Sequence, residues 1–121
     1  MYYCIQMKIA PKGSPAARLR QRKYQLMRRY AIPDDLLPGS LTRTRRRCGK
    51  PNCHCARGEG HPIWFLTFMV AGERRVERIP HAWVEEVQRR VAAGRAYKDA
   101  VAEVLAANAQ LLVLWRRQGG G

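Results

Sequence analysis

Three cysteines fall within eight residues, in Cys48-Gly-Lys-Pro-Asn-Cys53-His-Cys55, and no other feature of the chain restricts its fold as strongly. Thiols this close serve either as a disulfide framework or as ligands of a soft metal. The opening residues do not read as a secretory signal. Met1–Ala10 is short and mixed, and Pro11-Lys12-Gly13-Ser14-Pro15 follows at once. A reducing compartment is therefore expected, and clustered cysteines there point to metal before disulfides. Zinc needs four ligands at tetrahedral angles, so one loop supplies several only if it turns tightly. Gly49 and Pro51-Asn52 provide that turn chemistry. His61 completes a C-x4-C-x-C-x5-H pattern and is the preferred fourth ligand, so the expected set is Cys48, Cys53, Cys55 and His61. Cys4 and a cysteine of another protomer are the alternatives. An iron–sulfur cluster is a lesser reading, and so are three thiols without metal. His54, between two cysteines, is expected to point away from an ion that both neighbours bind. The zinc is read as structural.

The strands flanking this loop carry much of the charge. The chain has 23 Lys and Arg against 9 Asp and Glu, for a net +14 over 121 residues. Residues 1–47 hold +10, residues 48–80 hold +2 and residues 81–121 hold +2. Such an excess favours polyanionic partners. With 46% hydrophobic residues the chain is not a disordered polyelectrolyte. A basic helix is expected from Pro15 to Tyr30, with Ser14 as its cap and Ile32-Pro33 as its stop. Leu19, Leu26, Met27 and Tyr30 mark its apolar stripe. Its arginines suit either a solvated face or phosphate contacts.

Three strands are expected next. Leu41–Arg47 has Arg43, Arg45 and Arg47 on one face and Thr42, Thr44 and Arg46 on the other. Ile63–Val70 is apolar on both faces, which implies cover on both sides or a partner on one. Glu73–Ile79 follows an Ala71-Gly72 hairpin turn. Trp64, Phe65 and Phe68 read as core before base-stacking platforms. Pro80 opens a helix to about Ala93 whose apolar side is Trp83, Val84, Val87 and Val91, and Gly94 either breaks it or is absorbed. Beyond it Tyr97, Val101, Val104, Asn108, Leu111 and Trp115 are spaced 4, 3, 4, 3, 4, a heptad seam with Asn108 at an a position. Leu105 and Leu112 widen the stripe, as in a bundle. The seam packs on the sheet within the chain or forms a homodimer.

The expected organisation is a disordered leader at 1–13, a basic helix at 14–36, a zinc-loop β-sheet core at 37–80, a helical region at 81–117 and a tail at 118–121. The fold class is α+β: a small three-stranded antiparallel sheet with a zinc-binding loop, a basic N-terminal helix and C-terminal amphipathic helices. No membrane span is expected, because Val101–Trp115 is short and contains Glu103, Asn108 and Gln110.

The stretch Leu37–Pro80 resembles a family of short uncharacterised bacterial, archaeal and phage proteins that share a domain of unknown function. The resemblance rests on Pro38-Gly39-Ser40-Leu41, on Arg47-Cys48-Gly49-Lys50-Pro51-Asn52-Cys53-His54-Cys55-Ala56-Arg57-Gly58, and on His61-Pro62 before an aromatic strand, an arginine-rich strand and Pro80. Relatives often place Gly between that His and Pro, and this chain does not. The resemblance implies a mobile-element context, because such proteins are met beside transposase genes, and a transposase-type protein as one partner. It implies no activity.

The function expected from the residues is that of a zinc-stabilised nucleic-acid-binding accessory protein, with duplex DNA as the preferred partner. Arg43, Arg45, Arg46, Arg47, Lys50, Arg57, Arg74, Arg75 and Arg78 are the expected contacts. The alternative is a protein–protein interaction or oligomerisation module that uses Val101, Val104, Asn108, Leu111 and Trp115. Catalysis is not expected. The chain has no P-loop, no G-x-S-x-G, no paired carboxylates converging on a site, and no Glu set beside a metal ligand as in zinc deaminases. A cytoplasmic location follows from these readings, nucleoid-associated if the partner is DNA.

Overall fold

The computed structural model describes residues 10–46 and 60–119. Helix α1 spans Ser14–Tyr30, strands β1, β2 and β3 span Ser40–Arg46, His61–Val70 and Glu73–Ile79, a 3-10 turn covers His81–Trp83, and helix α2 runs Val84–Arg117. The strands form one antiparallel sheet in the order β1-β2-β3. The α+β class and the three-stranded antiparallel sheet match expectation. Cys4, Arg47, Cys48, Lys50, Cys53, Cys55 and Arg57 lie outside the described residues, and so does the expected zinc loop.

Register follows from sequence pattern. Leu41 pairs with Leu66 and Arg43 with Trp64, while Trp64 also pairs with Ile79 and Leu66 with Glu77. Side chains alternate along a strand, so Leu41, Leu66, Trp64, Phe68 and Ile79 share one face. Helix α2 covers that face. Leu66, Val87 and Val91 form the buried centre, and Leu37, Leu41, Phe68 and Ile79 pack against it. Val84 is buried at the start of the helix. Trp83, expected on the same apolar side, instead belongs to the 3-10 turn and is 48% exposed. The tighter pitch of that turn takes its side chain out of the helical stripe.

The hairpin between β2 and β3 is a two-residue turn with φ of 52° at Ala71 and 82° at Gly72. Both central residues are left-handed, as in the primed turn that matches strand twist. β3 ends opposite Trp64, whereas β1 and β2 stay paired through Arg46↔His61. The sheet therefore narrows to a two-stranded ribbon at Thr44–Arg46 and His61–Ile63. His61, expected to close the cysteine loop ahead of the strand, is the first residue of β2.

Helix α1 ends at Tyr30 as expected, but its cap and its stop differ from expectation. Gly13 with φ 106° is the N-cap of α1, and Ser14 lies inside the helix without a capping bond. The carbonyl of Gly13 accepts from Ala17 N–H at 3.0 Å, which is the first helical bond. At the other end Ala31 turns left-handed and Ile32 N–H donates to Met27 O at 3.1 Å, so the left-handed cap at Ala31 closes the helix ahead of Pro33. The apolar stripe of α1 has no buried member, and Leu19 is 73% exposed.

Gly94 neither breaks α2 nor ends it. A Cβ there would sit 2.3 Å from the carbonyl oxygen of Leu37. Helix α2 and the strand-entry segment approach too closely for any side chain at this position. Leu37 N–H donates to Arg90 O at 3.1 Å, fixing the same crossing. Gly39, with φ 92°, is equally constrained, since its Cβ would meet Thr67 O at 2.1 Å.

Candidate nucleic-acid interface

The described arginines of the sheet divide between two faces. Arg43 and Arg45 share the parity of Leu41 and lie on the α2 side of the sheet, where Arg75 joins them opposite Phe68. Arg74 and Arg78 lie on the other side, opposite Met69 and Phe65. Arg46 occupies a register position of that second set, opposite His61. The expected arginine face of β1 and the arginines of the hairpin are thus not one surface. Strand alternation separates Arg75 from its neighbours on either side.

The two faces differ in charge. On β3 the α2 side receives Glu73, Arg75 and Glu77, and the far side receives Arg74, Val76 and Arg78. The far side draws Thr42 and Thr44 from β1 and Ile63, Phe65, Thr67 and Met69 from β2. Both acids of the described sheet therefore fall on one face, and the far face has arginine as its only charge. Arg74 and Arg78 are exposed, Met69 is 58% exposed, and Phe65 is half-buried between Thr42 and Arg78. Ile63 is buried. Both outer strands, β1 and β3, present free edges within the described residues.

The ribbon end has its own arrangement. The guanidinium of Arg43 lies over the Trp64 ring, 5.9 Å from its centroid. That contact is a cation–π interaction of modest strength at an exposed site. Arg45 reaches the carbonyl of Gly60 across the ladder at 3.5 Å, a long hydrogen bond. The indole Nε1–H of Trp64 is buried and has no hydrogen-bond partner among the described residues. No group of three or more metal-ligating side chains occurs among the described residues. His61 is half-buried at the first rung of β2.

Helix α1 adds Arg18, Arg20, Arg22, Lys23, Arg28 and Arg29 without one acid in its length. Arg20 donates to Pro11 O at 2.8 Å, and Lys23 pairs with Asp34. The remaining basic surface of the helix is exposed.

A cluster that sequence reading missed lies under the helix crossing. Arg90 is buried and its Nε donates to Glu86 at 2.9 Å, with Asp35 at 4.0 Å from the same guanidinium. Arg89 grips the Glu86 carboxylate with two bonds of 2.8 and 2.7 Å. Hydrogen bonds from Arg89 and then Arg90 pull the Glu86 carboxyl down to about 2. The available signal was Glu86 four residues before Arg90, a helix-pair spacing. Burial of Arg90 follows from the Leu37 crossing and has no local signature. The cluster fastens Asp35 and Leu37 to α2. These bonds join α2 to itself and to Asp35, so we read the cluster as structural.

The seam residues Val101, Val104, Asn108, Leu111 and Trp115 all lie on α2 and all are exposed. The expectation that they pack on the sheet is not met. Helix α2 leaves the sheet after Gly94, and no described residue beyond Tyr97 is even half-buried. Among the described residues no helix is long and apolar enough to cross a membrane.

A family model for a domain of unknown function, DUF6788, matches residues 16–89. The match takes in nearly all of α1, the whole sheet and the first turn and a half of α2. No curated protein and no solved structure matches the chain.

Proposed function

We propose that this chain, which belongs to the DUF6788 family, is a zinc-stabilised nucleic-acid-binding accessory protein with duplex DNA as its partner. The observation that carries the reading is the segregation of charge across the sheet: Arg74 and Arg78 stand beside Phe65 on a face without acids, while Glu73 and Glu77 point the other way. Among the described residues of the sheet, a polyanion approaching that face meets arginines, threonines and apolar groups and no acid. Phosphates contacted by arginine release counterions, so binding of this kind is strong at low salt and weak at high salt. The narrow ribbon at the His61 end has dimensions that a DNA major groove admits, and it presents Arg45 there, with Arg43 one rung inside the three-stranded part. Helix α1, basic along its whole length, supplies further phosphate contacts.

Zinc enters through Cys48, Cys53, Cys55 and His61. The rung Arg46↔His61 brings together the two ends of the segment that holds the cysteines. A closed loop is what a four-ligand site from one short segment requires. His61 stands at the closing rung, half-buried and three residues from Trp64. Bound zinc would fix the ribbon tip and the charges of Arg47, Lys50 and Arg57 relative to Arg43 and Arg45.

Paired charge reversals test the reading. Arg74→Glu with Arg78→Glu is expected to lower duplex affinity at least tenfold and to flatten its salt dependence. Arg75→Glu, on the opposite face, is expected to cost less. Equal affinity of the Arg74/Arg78 variant and the parent would remove the sheet from the interface.

A second reading is favoured by the exposed apolar length of α2 from Val101 to Trp115. There the protein acts as an interaction module, docking protein partners of the transposase type or other copies of itself. It predicts that Leu111→Glu and Trp115→Glu are the most damaging substitutions, ahead of any arginine change.

A further inference from the structure

Exposed apolar side chains standing singly are ordinary, but the last seventeen residues of α2 leave eight large ones exposed along one continuous helix. Their angular distribution limits what can cover them. At ~100° per residue, Val101, Val104, Leu105, Leu111, Leu112 and Trp115 fall within about 60° of the line through Asn108. Leu114 and Val113 fall far outside it, roughly 120–140° to either side, each beside a row of alanines. The polar residues Asp99, Glu103, Gln110 and Arg117 gather in one narrow strip on the back. Apart from Asn108 and Arg116, the remaining arc is apolar or alanine.

A two-stranded coil buries an a/d seam and leaves its flanks to charged residues. Here the flanking positions are Leu105, Leu112, Ala107 and Leu114. An arc this wide is the mark of a helix with neighbours on more than one side. Charge indicates which neighbours. The chain as a whole carries +14, but residues 99–117 hold two acids and two arginines and are neutral. Copies of a strongly basic protein repel one another least through that segment, and it offers nothing to a polyanion.

We propose that the segment Val101–Arg117 of α2 assembles copies of this chain into a helical bundle of more than two helices, with Asn108 as the buried polar layer that fixes register. The bundle stands apart from the DNA reading, because its sign is mass and the sign of that reading is affinity.

Sedimentation equilibrium of the full chain, loaded with zinc and without nucleic acid, gives the test. The expected mass is three or more times the 13.9 kDa of one chain. Leu114→Lys separates the bundle from a simple coil, since only a bundle buries that position. We expect it to lower the assembly state, while Gln110→Lys on the polar strip leaves it unchanged. Circular dichroism confirms that both variants keep their helix. A monomer or a dimer at micromolar concentration overturns the proposal, and so does a Leu114→Lys protein with the parental mass. Oligomers that retain full DNA affinity, or lose it, leave the mass criterion intact.

Discussion

Replacing Gly94 by alanine sets two opposed effects of known size against each other. Alanine is better than glycine in a helix interior by about 1 kcal/mol. A reading of Gly94 as a simple weak point in a long helix therefore predicts stabilisation by that amount. The structure predicts the reverse. The new Cβ would lie 2.3 Å from Leu37 O, 3.2 Å from Leu37 C and 3.3 Å from Leu37 N. The first distance is short of ordinary contact by about 1 Å, and the obstructing atoms are backbone, which has no rotamer to escape into. The helix and the segment entering β1 must separate. That movement loosens Leu37 from the Leu66–Val87–Val91 cluster and stretches the Leu37 N–H to Arg90 O bond of 3.1 Å. Overpacking of this kind costs ~1–3 kcal/mol, and a weakened buried hydrogen bond adds ~1 kcal/mol. After subtracting the helix gain, a net loss of roughly 1–3 kcal/mol remains. Urea unfolding at fixed protein concentration reads it directly, with a fall in Tm of roughly 5–10 °C as the companion signal. A Gly94→Ala protein as stable as the parent, or more so, would show that the close crossing of α2 over Leu37 does not exist.

Three further expectations follow from named positions. Ala71→Asn should stabilise the hairpin by about 0.5–1 kcal/mol in the same unfolding assay, because a left-handed first turn position suits Asn better than Ala. Glu86 carries a carboxyl held near 2 in the fold against 4.5 as its ordinary value, so its pairing with Arg89 and Arg90 adds stability above about pH 4.5 that is lost as pH falls toward 2. Glu86→Gln should remove that acid limb from a stability–pH profile, and a profile of unchanged slope would contradict the cluster. Gly39→Ala should destabilise more than Gly94→Ala, since it combines a left-handed φ of 92° with a contact of 2.1 Å to Thr67 O, and unfolding midpoints of the two variants give the ranking.

The sheet was legible because period-two alternation is a local property. Glu73–Ile79 and the Ala71-Gly72 turn are read from consecutive residues, and the structure has both at those positions. The core half of α2 was legible for the same reason, from Val84, Val87 and Val91 at helical spacing. What sequence could not supply was the identity of opposing surfaces. Grouping Arg43 and Arg45 with all the hairpin arginines needed both the β1–β2 and the β2–β3 registers, and together these send Arg74 and Arg78 to the other face. Gly94 looked like an interruption because its reason, the Leu37 carbonyl, lies 57 residues earlier in the chain. The helix seam was visible as a pattern, yet a pattern does not say whether its partner lies in the same chain. The exposure of Val101–Trp115 answers that it does not within the described residues. The metal ligand set remains a reading of Cys48, Cys53 and Cys55, joined to the fold through the position of His61 at the head of β2.

The central proposal is that the Arg74/Arg78 face of the sheet and the two-stranded ribbon at His61 serve a nucleic acid, and a salt titration tests it most directly. Zinc-loaded protein is titrated against duplex DNA, with single-stranded DNA and duplex RNA in parallel, from low to physiological salt. The account predicts tightest binding to duplex DNA, an affinity falling with salt at a log–log slope of about −4 or steeper, and loss of binding in Cys53→Ser. Absence of binding to any of the three at the lowest salt, where nonspecific phosphate contacts are strongest, would contradict it.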